Sequence, residues 1–266
     1  DVLNALAGRI PVDIRVSCME FLKSKVNDFS AIVKDNLDKE RQNIENFDIS
    51  KKMANRKDLE TLVKYTLLDS NFVYMLLQKL EVLTLTLQIS KLSACPWSRV
   101  LLGSSSPRCE SLLLQRFHDQ NYILPEKIRM KNEPFKRESK YEGGKVLDPI
   151  KGFYDTCILV LDFNSLYPSI IREFNICFTT VDKENPDAYK SKNSKTKGIL
   201  PRIMKELLEA RNVIKVERSK LQNEANSLKK DSQKHKAIEV NIERLNIKEK
   251  AIKLLANSIY GYLAYK

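Results

Sequence analysis

Asp162 closes a run of five apolar residues, Cys157-Ile158-Leu159-Val160-Leu161. A carboxylate at the end of a buried strand is costly unless its charge is matched. A divalent cation is the simplest match, because Mg²⁺ takes one or two carboxylates together with substrate phosphates. The plainer alternative is an aspartate that only caps a turn. After Asp162 the residue order predicts a turn, with Ser165 placed to cap and Pro168 placed to open a helix. Further on, Lys253 and Asn257 stand four apart, so they share one helix face and can reach one triphosphate. Arg211 and Lys215 repeat that spacing. Two cations so placed repel mildly, and either pair alone reads as a solvated basic face. Together, cations and an amide on two facing helices make a phosphate clamp.

These groups need elements to hold them. Residues 157–161 suit a strand covered on both faces, since the apolar run is short and unbroken. From Pro201 two long helices are expected. The first carries Ile203, Leu207, Ala210, Ile214 and Leu221 on one stripe, and the second carries Ile238, Ile242, Leu245, Ile252 and Leu255. With the polar stretch 229–234 as their turn, they form an antiparallel hairpin. Upstream, residues 9–16 alternate as a strand does. A helix is expected over 58–92, with Val73, Leu76, Leu77 and Leu80 on one face, and another over 111–121, with Leu112, Leu113 and Phe117 buried. Gly103 to Pro107 reads as a loop. Residues 126–150 are charged, contain two prolines and the pair Gly143-Gly144, and read as a connector.

The 266 residues carry a net charge of +12, which favours a polyanionic partner. Residues 198–266 hold 15 lysines and arginines against 8 acidic residues, so +7 of that charge sits in the predicted hairpin and its end. The five cysteines include no Cys-x-x-Cys pair and only two histidines are present, so free thiols are expected rather than zinc or disulfides. No apolar run reaches the roughly 18 residues of a membrane span. The chain opens on Asp1 and ends at Lys266 without a closing signal, and is expected to be an internal stretch of a longer protein.

The string Asp162-Phe163-Asn164-Ser165-Leu166-Tyr167-Pro168-Ser169-Ile170 resembles the first catalytic motif of the family B DNA polymerases. Lys253-Leu254-Leu255-Ala256-Asn257-Ser258-Ile259-Tyr260-Gly261 is similar to that family's Lys-x-x-x-Asn-Ser-x-Tyr-Gly motif. Tyr141-Glu142-Gly143-Gly144 resembles its Tyr-x-Gly-Gly element. The resemblance implies Asp162 as one of two aspartates that hold two Mg²⁺ ions, with the Phe163 backbone. It puts the Ser165 and Leu166 amides on the triphosphate, with Arg211, Lys215, Lys253 and Asn257. Tyr167 lies under the sugar, where it blocks a 2′-hydroxyl, and Tyr260 stacks on the nascent base pair. Tyr141, Gly143, Gly144 and Gly261 approach DNA, and the second hairpin helix is expected to end near Gly261. Tyr65 and Asp69 match the last motif of an exonuclease domain. They also lie one turn apart, as a helix-surface hydrogen bond would place them, and metal hydrolysis needs several carboxylates, so a relic without proofreading is expected.

Glu173 to Thr180, Val146 to Pro149, Gly152 to Asp155 and Ala7 to Arg9 are similar to the alpha type within the family. The implied fold is α+β: residues 1–125 end an exonuclease-like domain, 126–150 connect, 151–199 begin the palm, 200–257 form the fingers hairpin, and 258–266 return to the palm. The implied activity is template-directed DNA synthesis at the initiation of replication. Its substrates are a DNA template, an RNA–DNA primer and deoxynucleoside triphosphates (dNTPs). Primase and an accessory B subunit are implied partners, and the nucleus the location. The family's second catalytic motif, Tyr-Gly-Asp-Thr-Asp, lies beyond this stretch, which is therefore expected to be inactive alone. A basic helical-hairpin module that binds nucleic acid or a partner without catalysis stays open as the alternative.

Overall fold

The computed structural model describes residues 8–22, 28–42, 46–124, 146–163, 165–181, 196–228 and 232–264. Ten helices occur among them: α1 (Ile14–Leu22), α2 (Phe29–Leu37), α3 (Asn46–Met53), α4 (Arg56–Lys79), α5 (Val82–Ser93), α6 (Trp97–Leu101), α7 (Ser105–His118), α8 (Leu166–Glu173), α9 (Ile199–Asn226) and α10 (Gln233–Ala264). None is long and apolar enough by itself to cross a membrane.

Several expectations are corrected. The strand over 9–16 gives way to α1, because Ile14, Ser17 and Cys18 fall on one helical face and are all buried, while Asp13 accepts a hydrogen bond from the Arg15 amide at 2.8 Å. The single helix over 58–92 breaks at Leu80 and Glu81, where Glu81 takes a left-handed φ of 49°. The two halves bend by 46°. The bend lets them serve different cores: α4 buries Phe72 and Leu76 against α1 and α2, and α5 buries Leu85 and Ile89 against α10. The expected loop at 103–107 is shorter, since α7 starts at Ser105. Its Leu112, Leu113 and Phe117 are buried as expected.

The expected strand at 157–161 is not formed, and no strand occurs among the described residues. Val160 and Leu161 are 83% and 85% exposed. A strand satisfies its backbone groups only against another strand, and no described segment pairs with this one. The helical side of the α+β expectation is what the described residues show.

The hairpin is formed. Helices α9 and α10 span 28 and 32 residues and pack along each other. Helix α10 does not stop at Gly261 but runs on to Ala264, because Tyr262 and Leu263 still pack against the core. That core joins Leu112, Leu113 and Phe117 of α7, Ile171 of α8, the base of α9 and Ile252, Leu255 and Ile259 of α10. It ties the hairpin root to α7 and α8. A second tie links α7 to α1, where buried Arg108 pairs with Glu20 and donates to the Val100 carbonyl at 3.0 Å.

Candidate active site

Helix α10 presents its chemistry through simple periodicity. Ile252, Leu255, Ala256 and Ile259 are buried, so Lys253, Asn257 and Tyr260 face outward on the opposite stripe. Helix α9 aims Arg211 in the other way: it continues the stripe that begins at Leu200, Met204 and Leu207, so it points at the partner helix. Ala210, placed on that stripe by the sequence, is exposed instead.

These faces meet the start of α8 in one open cleft of about 650 Å³. Asp162 and Phe163 line it from the 146–163 segment, Ser165, Leu166 and Tyr167 from the start of α8, Arg211 from α9, and Lys253, Asn257, Tyr260 and Gly261 from α10. Of the expected residues, Lys215 does not line it. Tyr141, Gly143, Gly144 and Asn164 lie outside the described residues. Asp162 is exposed rather than buried, since the strand that was to bury it is not formed.

Ser165 precedes α8 with a φ of 59° and makes no side-chain cap, contrary to expectation. Its hydroxyl faces Arg211 Nη1 at 3.4 Å. The Leu166 amide, first in α8, has no backbone partner among the described residues and can donate to an anion. Tyr167 and Tyr260 stack with ring centroids 3.8 Å apart and planes 8° apart. That contact joins α8 to α10 across the cleft.

Sequence reasoning missed Glu249 and Arg218. Arg211 Nε donates to Glu249 Oε1 at 3.3 Å, Lys215 Nζ lies 3.9 Å from the same oxygen, and Arg218 pairs with Oε2. The signal was present: Glu249 stands four after Leu245 and three before Ile252, on an apolar stripe where an unmatched carboxylate is not tolerated. At the other end, Asp69 accepts Arg41 Nε and Nη2, both at 2.8 Å. Its carboxylate is thus held by a guanidinium. Among the described residues no group of three or more His, Cys, Asp or Glu side chains is placed to hold a metal.

The chain is similar to known proteins along nearly its whole length. It is 34% identical to the DNA polymerase alpha catalytic subunit of Xenopus laevis, over 98% of this chain and 19% of that protein. The mouse (Mus musculus) protein of the same name gives 34% over 98% of this chain and 19% of its own length. The chain therefore spans about a fifth of these relatives. Among solved structures, the family B DNA polymerase from the hyperthermophilic archaeon Pyrobaculum calidifontis covers 97% of this chain, and 33% of its own chain is covered, with a TM-score of 0.68 and 24% identity. That likeness extends to the fold. The family model for DNA polymerase family B matches residues 95–266, the part that carries the cleft. This chain belongs to DNA polymerase family B.

Proposed function

We propose that this chain is the nucleotide-binding part of a DNA-directed DNA polymerase of the alpha type, which extends primers at the initiation of replication. One observation carries the reading: a single cleft brings Asp162 together with Arg211, Lys253 and Asn257, an anion beside three phosphate-binding side chains from two other elements. A hairpin that served only as a basic arm has no use for a carboxylate there. Residues 1–125, 126–150, 151–199, 200–257 and 258–266 then correspond to exonuclease-like end, connector, first part of the palm, fingers and return to the palm.

The cleft's donor set suits hard cations, since Asp162 adds an exposed carboxylate and Phe163 a backbone carbonyl beside it. Asp162 and Phe163 would supply one side of a site for two Mg²⁺ ions, with the aspartate of the family's second catalytic motif on the other; when bound, the ions would activate the primer 3′-hydroxyl and neutralise charge at the phosphorus. The chain's own residues do the rest. Lys253 and Arg211 bring charge to the triphosphate, Asn257 adds an amide, and the backbone amides of Ser165 and Leu166 donate hydrogen bonds to phosphate oxygens. Tyr167 limits the sugar and Tyr260 offers a ring to the base. Lys215, held outside the cleft, reaches a triphosphate tail only by leaving Glu249. Tyr141, Gly143, Gly144 and Gly261 are the proposed DNA contacts. Template, RNA–DNA primer, dNTPs, primase, an accessory B subunit and the nucleus follow for the protein from its likeness to alpha catalytic subunits.

The test is primer extension by a full-length family B polymerase carrying this segment. Asp162→Ala should abolish extension without lowering the melting temperature. Lys253→Ala should raise KM for dNTP roughly tenfold, as loss of one charge-assisted contact of about 1.5–3 kcal/mol implies. If Lys253→Ala weakens DNA binding and leaves KM alone, the hairpin is a binding arm and the polymerase assignment of the cleft fails.

A further inference from the structure

Near the cleft, the apolar seam between α9 and α10 is interrupted by a cluster of charges. There Glu249 occupies a stripe position on α10, and Arg211 and Arg218 occupy stripe positions on α9, four and eleven residues after Leu207. The Glu249 side chain is only 12% exposed. A desolvated carboxylate between guanidinium groups stabilises a helix seam no better than apolar residues of the same volume. Stability therefore gives no reason for this arrangement.

Arg211 supplies one. Of the three cations on Glu249, it alone lines the cleft. Its Nε donates to Glu249 Oε1 at 3.3 Å and its Nη1 to Ser165 Oγ at 3.4 Å. Two anchors on different nitrogens fix the plane of a guanidinium. The Nη2 group is left without a protein partner among the described residues, so donor capacity remains for an anion in the cleft. Arg218 is tied at the same level, to Glu249 and to Asn246 Oδ1 at 2.9 Å, and it holds the carboxylate in turn.

We propose that Glu249 is a positioning residue for dNTP binding: it holds the Arg211 guanidinium at the cleft in the orientation that receives the triphosphate. This rests on the reading that the cleft takes a dNTP. Glu249 touches no substrate; it acts through Arg211, the one of its three cations that lines the cleft.

The experiment uses a full-length polymerase carrying this segment, with Arg211→Ala, Glu249→Ala, Glu249→Gln and the double variant Arg211→Ala/Glu249→Ala. The readouts are KM and kcat for dNTP, with the melting temperature of each variant. Glu249→Ala should raise KM roughly fivefold or more, as loss of one charge-assisted hydrogen bond implies. Glu249→Gln keeps an oxygen for Arg211 Nε and should recover most of the loss. In the Arg211→Ala background, Glu249→Ala should change KM by less than about twofold, because the two residues act as one unit. An undiminished rise in that background would overturn the proposal, since Glu249 would then act without Arg211. So would a fall in KM, which would mean that Glu249 competes with the triphosphate. If Arg211→Ala raises KM while Glu249→Ala does not, positioning is wrong and the dNTP site stands. If Arg211→Ala itself leaves KM unmoved, the dNTP site fails and the positioning role fails with it.

Discussion

Tyr167 is 45% exposed and is braced on one face by Tyr260. A ring that excludes a 2′-hydroxyl must hold its place against thermal motion, and an aromatic partner stacked on one face restrains it. Two substitutions should therefore relax sugar selection by different routes. Tyr167→Ala removes the barrier and should lower the ratio of dNTP to ribonucleotide efficiency by roughly tenfold or more. Tyr260→Ala leaves the barrier but frees it, and should lower the ratio by a smaller factor. Steady-state efficiencies for one dNTP and its ribonucleotide counterpart measure both. An unchanged ratio in Tyr167→Ala would make the residue a packing aromatic, and the stack with Tyr260 would then have no part in selection. At this scale the sequence was most informative, because spacing alone put Lys253 and Asn257 on one face. It was silent on the tyrosine stack, since those residues lie 93 positions apart, from 167 to 260, and only the docking of α8 against α10 brings them together.

Elements were legible where local pattern decides them and not where a partner does. The two hairpin stripes and the buried face of α7 follow from 3.6-residue periodicity alone. The break between α4 and α5 has no glycine or proline to announce it; it exists because two separate cores pull on the two halves. The run 157–161 carries a strand's composition, yet a strand is a property of at least two segments. Its exposure is directly testable through Cys157, the one exposed cysteine of the five. Iodoacetamide at pH 8 should modify Cys157 in this chain first. Cys109 should resist until the chain unfolds, because burial pushes its thiol up to about 12 and leaves little of the reactive thiolate. In a full-length polymerase carrying the segment, pairing of this run into a sheet should protect Cys157; equal labelling in both settings would count against a palm strand here. The start of α9 makes a second test. Asn175 Oδ1 accepts from the Gly198 amide at 2.8 Å, and its Nδ2 donates to the Thr196 carbonyl at 3.1 Å. A Cβ on Gly198 would lie 2.5 Å from the Cys177 Cβ. Gly198→Ala should therefore destabilise the chain by about 1–3 kcal/mol, read as a fall in melting temperature. No change would mean that Cys177 is free to shift.

At the scale of the whole molecule, charge and geometry separate binding from catalysis. Transfer by two metal ions needs them held about 3.5–4 Å apart, with anionic ligands on both sides. Among the described residues, Asp162 is the one carboxylate that lines the cleft; the other lining side chains are cationic, amide, hydroxyl, aromatic or apolar. Glu249, the acid on α10 that meets Arg211, is engaged by Arg211, Lys215 and Arg218. Residues 1–266 taken alone should therefore extend no primer. They should still bind polyanions, because a net charge of +12 persists, with +7 of it in residues 198–266. That binding should be loose and should weaken log-linearly with salt, as counterion release requires. Two measurements on the purified chain decide the matter: extension of a labelled primer-template, with Asp162→Ala as control, and binding of single-stranded DNA between about 50 and 200 mM salt. Asp162-dependent extension would reveal a second carboxylate that reaches the cleft. Binding indifferent to salt would show that the basic charge of the hairpin is spent on internal pairs like those at Glu249, and that the polyanion site lies elsewhere on the molecule.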